Sequence, residues 1–231
     1  MNIAIVGATG NVGRKLIEVL EKKQFPIDEL FLIASSKSVG KKINFKGKEH
    51  SIHDLESFDF SSVKIAFFSA GSAIADKWAP IAAQKTIVID NSKFFRMDPE
   101  VPLIVPEVNS KDLKNYKKKN IIANANCSVI PLVVALKPLH DLYAIKRIVA
   151  STYQSVSGAG KASMDELLSQ TKDFFEGKEL NSKFFTKQIA FNAIPHIDSF
   201  LEDGYTKEEQ KMHDEVKKIL DSKIKITSTS V

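Results

Sequence analysis

Short apolar runs alternate along this chain with longer stretches whose apolar positions recur every three or four residues. Residues 2–6 form a short apolar run that ends at a glycine, and Asn11–Lys23 then carries Val12, Leu16, Val19 and Leu20 at helical spacing. Leu30–Ala34, Val63–Ser69 and Thr86–Asp90 read as further buried strands, with a helix over residues 72–84 before the last of them. Ile121–Ala123 adds another strand, followed by a helix from Cys127 to about His140. Short continuous apolar strands alternating with helices predict a parallel, doubly wound α/β sheet. Residues 91–107 hold Pro99, Pro102 and Pro106 and read as an ordered, irregular functional loop.

The pattern changes after residue 140. Ile145–Ser157 is longer and alternates, with Ile148, Ala150, Thr152, Gln154 and Val156 on one face, so it predicts a strand in a separate, antiparallel or mixed sheet. Helices are expected over residues 159–175 and 206–221, and Ile224–Val231 is strand-like. The expected organisation is therefore a Rossmann-like domain over residues 1–126 and an α+β domain with a mixed sheet over residues 127–231. The chain has no internal repeat, low-complexity segment or disordered linker.

Composition narrows the function. The chain has 231 residues, 43% of them hydrophobic, which is ample for a core. Its net charge of +5 falls partly in short runs, Lys117-Lys118-Lys119 and Lys217-Lys218, that read as solvated. Those runs lack interleaved aromatics, which argues against a nucleic-acid partner and leaves an anionic small substrate as a good fit. A single cysteine excludes an internal disulfide framework and suits the cytosol. No segment has the apolar length of a membrane span and the N-terminus lacks a leader pattern, so a soluble cytoplasmic protein without membrane attachment is expected. No metal site is expected.

Candidate chemistry lies in three places. Gly7-Ala8-Thr9-Gly10-Asn11-Val12-Gly13 is a G-x-x-G-x-x-G loop between a predicted strand and helix. Such glycines allow a tight turn and close approach of a pyrophosphate to the helix N-terminus; the plain alternative is a strand–helix turn. The second strand ends in Ala34-Ser35-Ser36-Lys37, with no carboxylate for ribose hydroxyls. Hydroxyls and a cation suit a 2′-phosphate, which favours NADP, unless the segment is only a solvated turn. Cys127, the only cysteine, falls at the start of a predicted helix, where unpaired N–H groups and the helix dipole favour a thiolate nucleophile. Taken alone, a buried lone cysteine is more often a small hydrophobe. Glu208 and Lys211 share a helix face and by spacing alone read as a surface ion pair. Thr206 and Glu209 have the T-x-x-E spacing of a capping box.

Six segments together resemble the aspartate-semialdehyde dehydrogenase family: GATGNVG at 7–13, DNSKFFRMDPEVPLIVPEVN at 90–109, NANCS at 124–128, STYQSVSGAG at 151–160, FNAIPHIDSF at 191–200 and GYTKEEQKMHDE at 204–215. The resemblance runs through nearly the whole chain, in the family's order. It implies NADPH-dependent reduction of L-aspartyl 4-phosphate to L-aspartate 4-semialdehyde in lysine, threonine, methionine and diaminopimelate synthesis. It also implies a homodimer or tetramer. By that resemblance Cys127 is the nucleophile that becomes a thioacyl-enzyme, and Gln154 orients the acyl group. Arg96 grips the acyl phosphate through a planar guanidinium fork, with Asn91 and Ser92 beside it. Lys93 stands where the family often has a small polar residue. Glu208 is matched to the substrate ammonium and Lys211 to phosphate. The cofactor contacts implied are Gly7, Thr9, Gly10, Asn11, Val12, Gly13, Ser35, Ser36, Lys37, Ser157 and Gly158.

In the family, the strand resembling residues 225–231 leads into an arginine for the substrate α-carboxylate and a histidine acting as acid/base. Neither precedes Val231, so the second domain is expected to be C-terminally incomplete, as a fragment or as a truncated product that keeps nucleotide binding without activity. None of His50, His53, His140, His196 and His213 is placed to substitute. A related acyl-phosphate reductase, such as N-acetyl-glutamyl-phosphate reductase, is the remaining alternative, against which NANCS and DNS…FRMDP argue.

Overall fold

A computed structural model describes residues 1–231. By contacts the chain divides into one unit of residues 1–134 with 218–220, and a second of residues 135–217 with 221–231.

In the first unit, β1 (Ile3–Val6) has no solvent-exposed residue, which is why its sequence is a continuous apolar run. Helix α1 (Asn11–Lys22) forms where the spacing predicts a helix, but its buried stripe is Gly13, Ile17 and Leu20 and not the expected Val12, Leu16, Val19 and Leu20: Val12 and Val19 are exposed, and only Leu20 is common to both. Then come β2 (Leu30–Ala34), β3 (Lys42–Phe45), β4 (Lys48–Asp54), β5 (Ile65–Phe68), α2 (Ser72–Ala83) and β6 (Ile87–Asp90). The unit continues through β7 (Leu103–Ile104), the short α3 (Pro106–Asn109), β8 (Ile121–Asn124) and the start of α4 (Val129–Tyr143).

These eight strands form one sheet in the order β3-β4-β2-β1-β5-β6-β8-β7, parallel except for the β3–β4 hairpin. The sheet grows outward from β1 in both directions, so the switch point, where ligands bind in such sheets, is at the C-terminal end of β1. One core packs around β1 and β2, with Ile17 and Leu20 from α1 and Phe45 and Ile52 from the hairpin. A fully buried Ile or Leu in such a core contributes roughly 1.5–3 kcal/mol.

The second unit holds β9 (Arg147–Thr152), α5 (Lys161–Phe175), most of α6 (Lys207–Ile219) and β10 (Lys225–Ser230). β9 and β10 form a separate two-stranded sheet, paired in parallel from Arg147↔Lys225 to Thr152↔Ser230. Thr206 caps α6. The Glu209 amide donates to the Thr206 hydroxyl at 3.3 Å, and the Thr206 amide donates back to the Glu209 carboxylate at 2.7 Å. That is the reciprocal box the T-x-x-E spacing predicts. The other Glu209 oxygen accepts from the Ser230 amide at 3.0 Å, so one carboxylate fixes both the helix start and the end of β10.

Candidate active site

The glycine loop leaves β1 at the switch point. Gly7 has φ +87°, and a Cβ there would stand 2.8 Å from the Ser69 backbone. Gly13 is more constrained still, since a Cβ would lie 2.3 Å from the Gly7 carbonyl oxygen. Gly10 is looser, with its nearest atom at 3.4 Å. Two of the three glycines are thus required by close backbone approach. Gly10 is the N-cap of α1 and no side chain caps that helix end. A helix start of this kind is where backbone N–H groups can receive an anion.

Beside this loop lies a cavity of about 350 Å³, lined by the ends of β1 and β2, the turn after β5, and the loop itself, including Gly7, Thr9, Gly10 and Ser35. Ser36 and Lys37 follow Ser35 in a solvent-exposed single turn, and Asn11 and Val12 are exposed on the first turn of α1. Of the predicted residues, Gly7, Thr9, Gly10 and Ser35 meet at the cavity, whereas Asn11, Val12, Gly13, Ser36 and Lys37 are not part of its lining.

Cys127 follows β8 in the same unit and is solvent-exposed. Helix α4 is regular from Val129, but its hydrogen bonding begins earlier. The Asn126 carbonyl accepts from the Ile130 amide at 3.0 Å and the Asn126 side chain accepts from the Ser128 amide at 2.8 Å. Asn126 is thus the N-cap, and Cys127 takes the first helical position, as expected.

The residues from Asp90 onward are held by side chains. Asp90 is fully buried at the end of β6 and accepts from the Ser92 hydroxyl at 2.7 Å and the Ser92 amide at 3.0 Å. Burial pushes the Asp90 carboxyl above its ordinary range, against those two bonds and the Arg96 charge. The Ser92 oxygen in turn accepts from the Phe94 amide, which leaves Ser92 committed to loop structure. Asn91 accepts from the Asn124 side-chain amide at 2.5 Å, and its carbonyl accepts from Arg96 Nη2 at 3.1 Å. Arg96 is only 8% exposed, so it is not a solvated loop arginine.

In the second unit, Gln154 sits just past β9. Its Nε2 donates to Glu208 Oε1 at 3.1 Å, and its Oε1 accepts from the Thr152 hydroxyl at 2.9 Å. Lys211 Nζ reaches Glu208 Oε2 and Asp198 Oδ2, both at 2.9 Å. Burial lowers the Lys211 ammonium, but the hydrogen bonds and charges of Asp198 and Glu208 outweigh it and hold the group above its ordinary value. Glu208 is 5% exposed, so the pair is not the surface ion pair that spacing alone suggests. Gln154, Glu208 and Lys211 form one network. Ser157 and Gly158 lie in an exposed single turn over residues 156–159 and line no part of the cavity.

Several residues with clear roles escape a sequence reading. Asp90 anchors Ser92, and Asp198, at φ +67°, is the second partner of Lys211. Asn109, 4% exposed, bridges the Leu103 carbonyl and the Val105 amide. The lysine runs are not simply solvated. Lys119 pairs with Asp98 at 2.7 Å, and Lys218 donates to three backbone carbonyls of the Arg96 segment. Asp98 had an aspartate–lysine partner to suggest, but nothing in sequence points Lys218 at carbonyls.

Comparison with known proteins identifies the same two regions. Residues 2–116 match the semialdehyde dehydrogenase NAD-binding domain and residues 136–231 the semialdehyde dehydrogenase dimerisation domain. The chain is 55% identical to Aquifex aeolicus aspartate-semialdehyde dehydrogenase over 233 residues, covering 99% of this chain and 68% of the relative. It superposes on the crystal structure of Vibrio cholerae aspartate semialdehyde dehydrogenase II complexed with ASA with a TM-score of 0.97 at 51% identity, covering 99% of this chain and 69% of the other. A Candida albicans aspartate semialdehyde dehydrogenase solved with NADP aligns at a TM-score of 0.68 and 25% identity, over 99% and 66% of the two chains. A glycine loop at the switch point, an exposed cysteine on an asparagine-capped helix, and these matches over both units agree: the chain belongs to the aspartate-semialdehyde dehydrogenase family.

Proposed function

We propose that this chain reduces L-aspartyl 4-phosphate to L-aspartate 4-semialdehyde and phosphate with NADPH, through a thioester on Cys127. The observation that carries the reading is the place of Cys127: exposed, directly after a parallel strand, at the first position of a helix capped by Asn126. Its sulfur is there open to a substrate carbonyl as a nucleophile. Sγ bonds to the acyl carbon while the carbon–oxygen bond to phosphate breaks, releasing inorganic phosphate and leaving a thioester.

The nucleotide fits the residues that would hold it. The pyrophosphate would lie against the glycine loop and the uncapped start of α1, and the 2′-phosphate against Ser35, Ser36 and Lys37. When bound, NADPH would supply the hydride that takes the acyl group to the aldehyde, the carbon–sulfur bond breaking to return the electron pair to the Cys127 sulfur. Arg96, with Asn91 beside it, and the cationic Lys211 would receive phosphate oxygens, while Ser92, whose one proton is given to Asp90, would act through the loop it holds. Glu208 would receive the substrate ammonium and Gln154 would orient the acyl oxygen. Ser157 and Gly158 would complete the nucleotide contacts. The product would feed lysine, threonine, methionine and diaminopimelate synthesis in the cytoplasm. A homodimer is supported by the match to a dimerisation domain and by Phe174, Phe175 and Phe191, which cluster at ring separations of 4.8–6.0 Å while each remains more than half exposed.

The test is phosphate-dependent NADP reduction with aspartate semialdehyde. Cys127→Ala should abolish turnover while nucleotide affinity is unchanged. Turnover within tenfold of the unaltered protein would sink the assignment of the nucleophile, and a preference for N-acetylglutamate semialdehyde would sink that of the substrate.

A further inference from the structure

Lys218 occupies the last turn of α6, in the stretch of residues 218–220 that belongs to the first unit. Its Nζ donates to the carbonyls of Arg96 at 2.7 Å, Asp98 at 2.8 Å and Val101 at 2.9 Å. An ammonium carries three N–H donors, and here three main-chain acceptors meet it. The acceptors belong to two consecutive turns, closed by the Asp98 amide on the Phe95 carbonyl at 3.1 Å and the Val101 amide on the Asp98 carbonyl at 3.2 Å. Phe95, Arg96 and Val101 are all buried. The lysine therefore gathers six consecutive residues of irregular backbone onto one charge. No regular ladder satisfies these carbonyls, so the ammonium takes the place that a neighbouring strand would have.

Arg96 is then fixed at both ends. Its own carbonyl is held by Lys218, and its Nη2 donates to the Asn91 carbonyl. Lys119 holds the Asp98 and Glu100 carboxylates at 2.7 and 3.3 Å, a more exposed contact between side chains. Lys218 acts on the backbone itself, including the carbonyl of the residue from which the guanidinium projects.

We propose that Lys218 is a positioning residue for phosphate recognition: it clamps the backbone of residues 96–101 so that the Arg96 guanidinium is presented to the substrate phosphate in one orientation. The inference rests on the reading of Arg96 as a phosphate ligand. A misplacement of about 1 Å in such a group can cost on the order of 100-fold.

The experiment measures KM for phosphate and for NADP in the intact enzyme, for Lys218→Met, Lys218→Ala and Arg96→Met. Lys218→Met should raise the phosphate KM roughly 10- to 100-fold, with the NADP KM changed less than about twofold, since the nucleotide loop is untouched. Propylammonium added to Lys218→Ala should bring the phosphate KM back down, whereas tetramethylammonium, which has no N–H to donate, should not. An unchanged phosphate KM in Lys218→Met, or a parallel rise in both constants, overturns the proposal, as does equal rescue by the two cations. Arg96→Met separates the failures. If it leaves the phosphate KM unchanged, the reading of Arg96 has failed. If it raises that constant while the Lys218 variants do not, the clamp alone has failed. Should the variants not fold, hydrogen exchange on the unaltered protein decides: the Asp98 and Val101 amides should be protected like the sheet, and exchange at the rate of an open loop overturns the clamp.

Discussion

The first unit contains two loops suited to phosphate groups, and they are built in opposite ways. Residues 7–13 make their site by removing side chains. Gly7 and Gly13 have no room for a Cβ, and the donors are main-chain N–H groups at the start of α1. Residues 90–101 make theirs by adding side chains. A buried aspartate holds a serine, an asparagine holds an arginine, and two lysines hold the turn that follows. The difference teaches how each loop tolerates change. A backbone cradle fails sterically and all at once. A side-chain scaffold fails by degrees, since each bond contributes about 0.5–1.5 kcal/mol, more where a charge is involved.

Gly13→Ala is the strongest way to break this comparison. Its Cβ would meet the Gly7 oxygen at 2.3 Å and the Ala8 Cα at 2.8 Å, both backbone atoms that cannot rotate away. The loop must move, at roughly 1–3 kcal/mol or more, and nucleotide binding by titration calorimetry should be lost. Gly10→Ala, with 3.4 Å available, should keep measurable binding. Equal affinity in the two variants would show that close packing is not what selects glycine.

Next in size is Lys37→Glu. Lys37 is exposed beside Ser35 and Ser36, where a carboxylate would oppose a 2′-phosphate and suit free ribose hydroxyls. The NADPH dissociation constant should rise about tenfold or more, close to 1.4 kcal/mol, with NADH binding unchanged or improved. A parallel loss of both nucleotides would refute a role in discrimination.

The same contrast explains what was legible in the sequence. Strands β1, β2, β5, β6 and β8 are buried apolar runs, and α1 buries a regular stripe, so periodicity reveals them. The β3–β4 hairpin was missed. Its turn places Lys46 and Gly47 at φ +51° and +76°, a conformation usually signalled by Asn-Gly rather than Lys-Gly, and its strands carry charge at alternate and adjacent positions. β7 has only two residues and exists because Leu103 and Ile104 pair with β8. The glycine loop was legible because its chemistry is written in consecutive residues. Asn91, Ser92, Arg96, Gln154, Glu208 and Lys211 enter the candidate site only through resemblance. The bond from Gln154 to Glu208 joins residues 54 positions apart, and the contacts of Lys218 join α6 to a loop more than 110 positions earlier. Spacing carries no trace of such contacts, which is why Lys217-Lys218 looked like a solvated charge run.

A smaller effect, confined to the second unit, serves as a control. Thr206→Ala removes the hydroxyl half of the capping box at the start of α6. It should cost about 1 kcal/mol of stability in thermal or denaturant unfolding. Nucleotide affinity should stay where it was, because the cradle we propose lies in residues 7–13. Loss of affinity without loss of stability would contradict the assignment of the loop to the nucleotide.

The smallest effect is the sharpest for the second loop, because two carboxylates eight positions apart should respond to pH with opposite signs. Burial pushes Asp90 up, and the Ser92 bonds and the Arg96 charge do not fully offset it. A folded-state value above the unfolded one means that the Asp90 contribution is fully present below the unfolded value and is lost as pH rises through the folded value. Asp98 is the reverse. Burial pushes it up too, but the Lys119 bond, the Glu100 amide and the charges of Lys119 and Lys218 outweigh that and hold it down. Its contribution is present above the unfolded value and is lost as pH falls through the folded value. On acidification from neutrality, Asp98 therefore releases stability while Asp90 gains it. Urea midpoints measured between neutral pH and about pH 3, just below an ordinary aspartate, separate the two. Asp98→Asn should make the midpoint less sensitive to acid than in the unaltered protein, and Asp90→Asn should make it more sensitive. The neutral-pH midpoint of Asp90→Asn also carries the cost of an amide facing the Ser92 donors, so the comparison rests on slopes and not on either endpoint. Two variants that shift the slope the same way would mean that burial does not dominate at Asp90, and that both ends of the segment are held by charge alone.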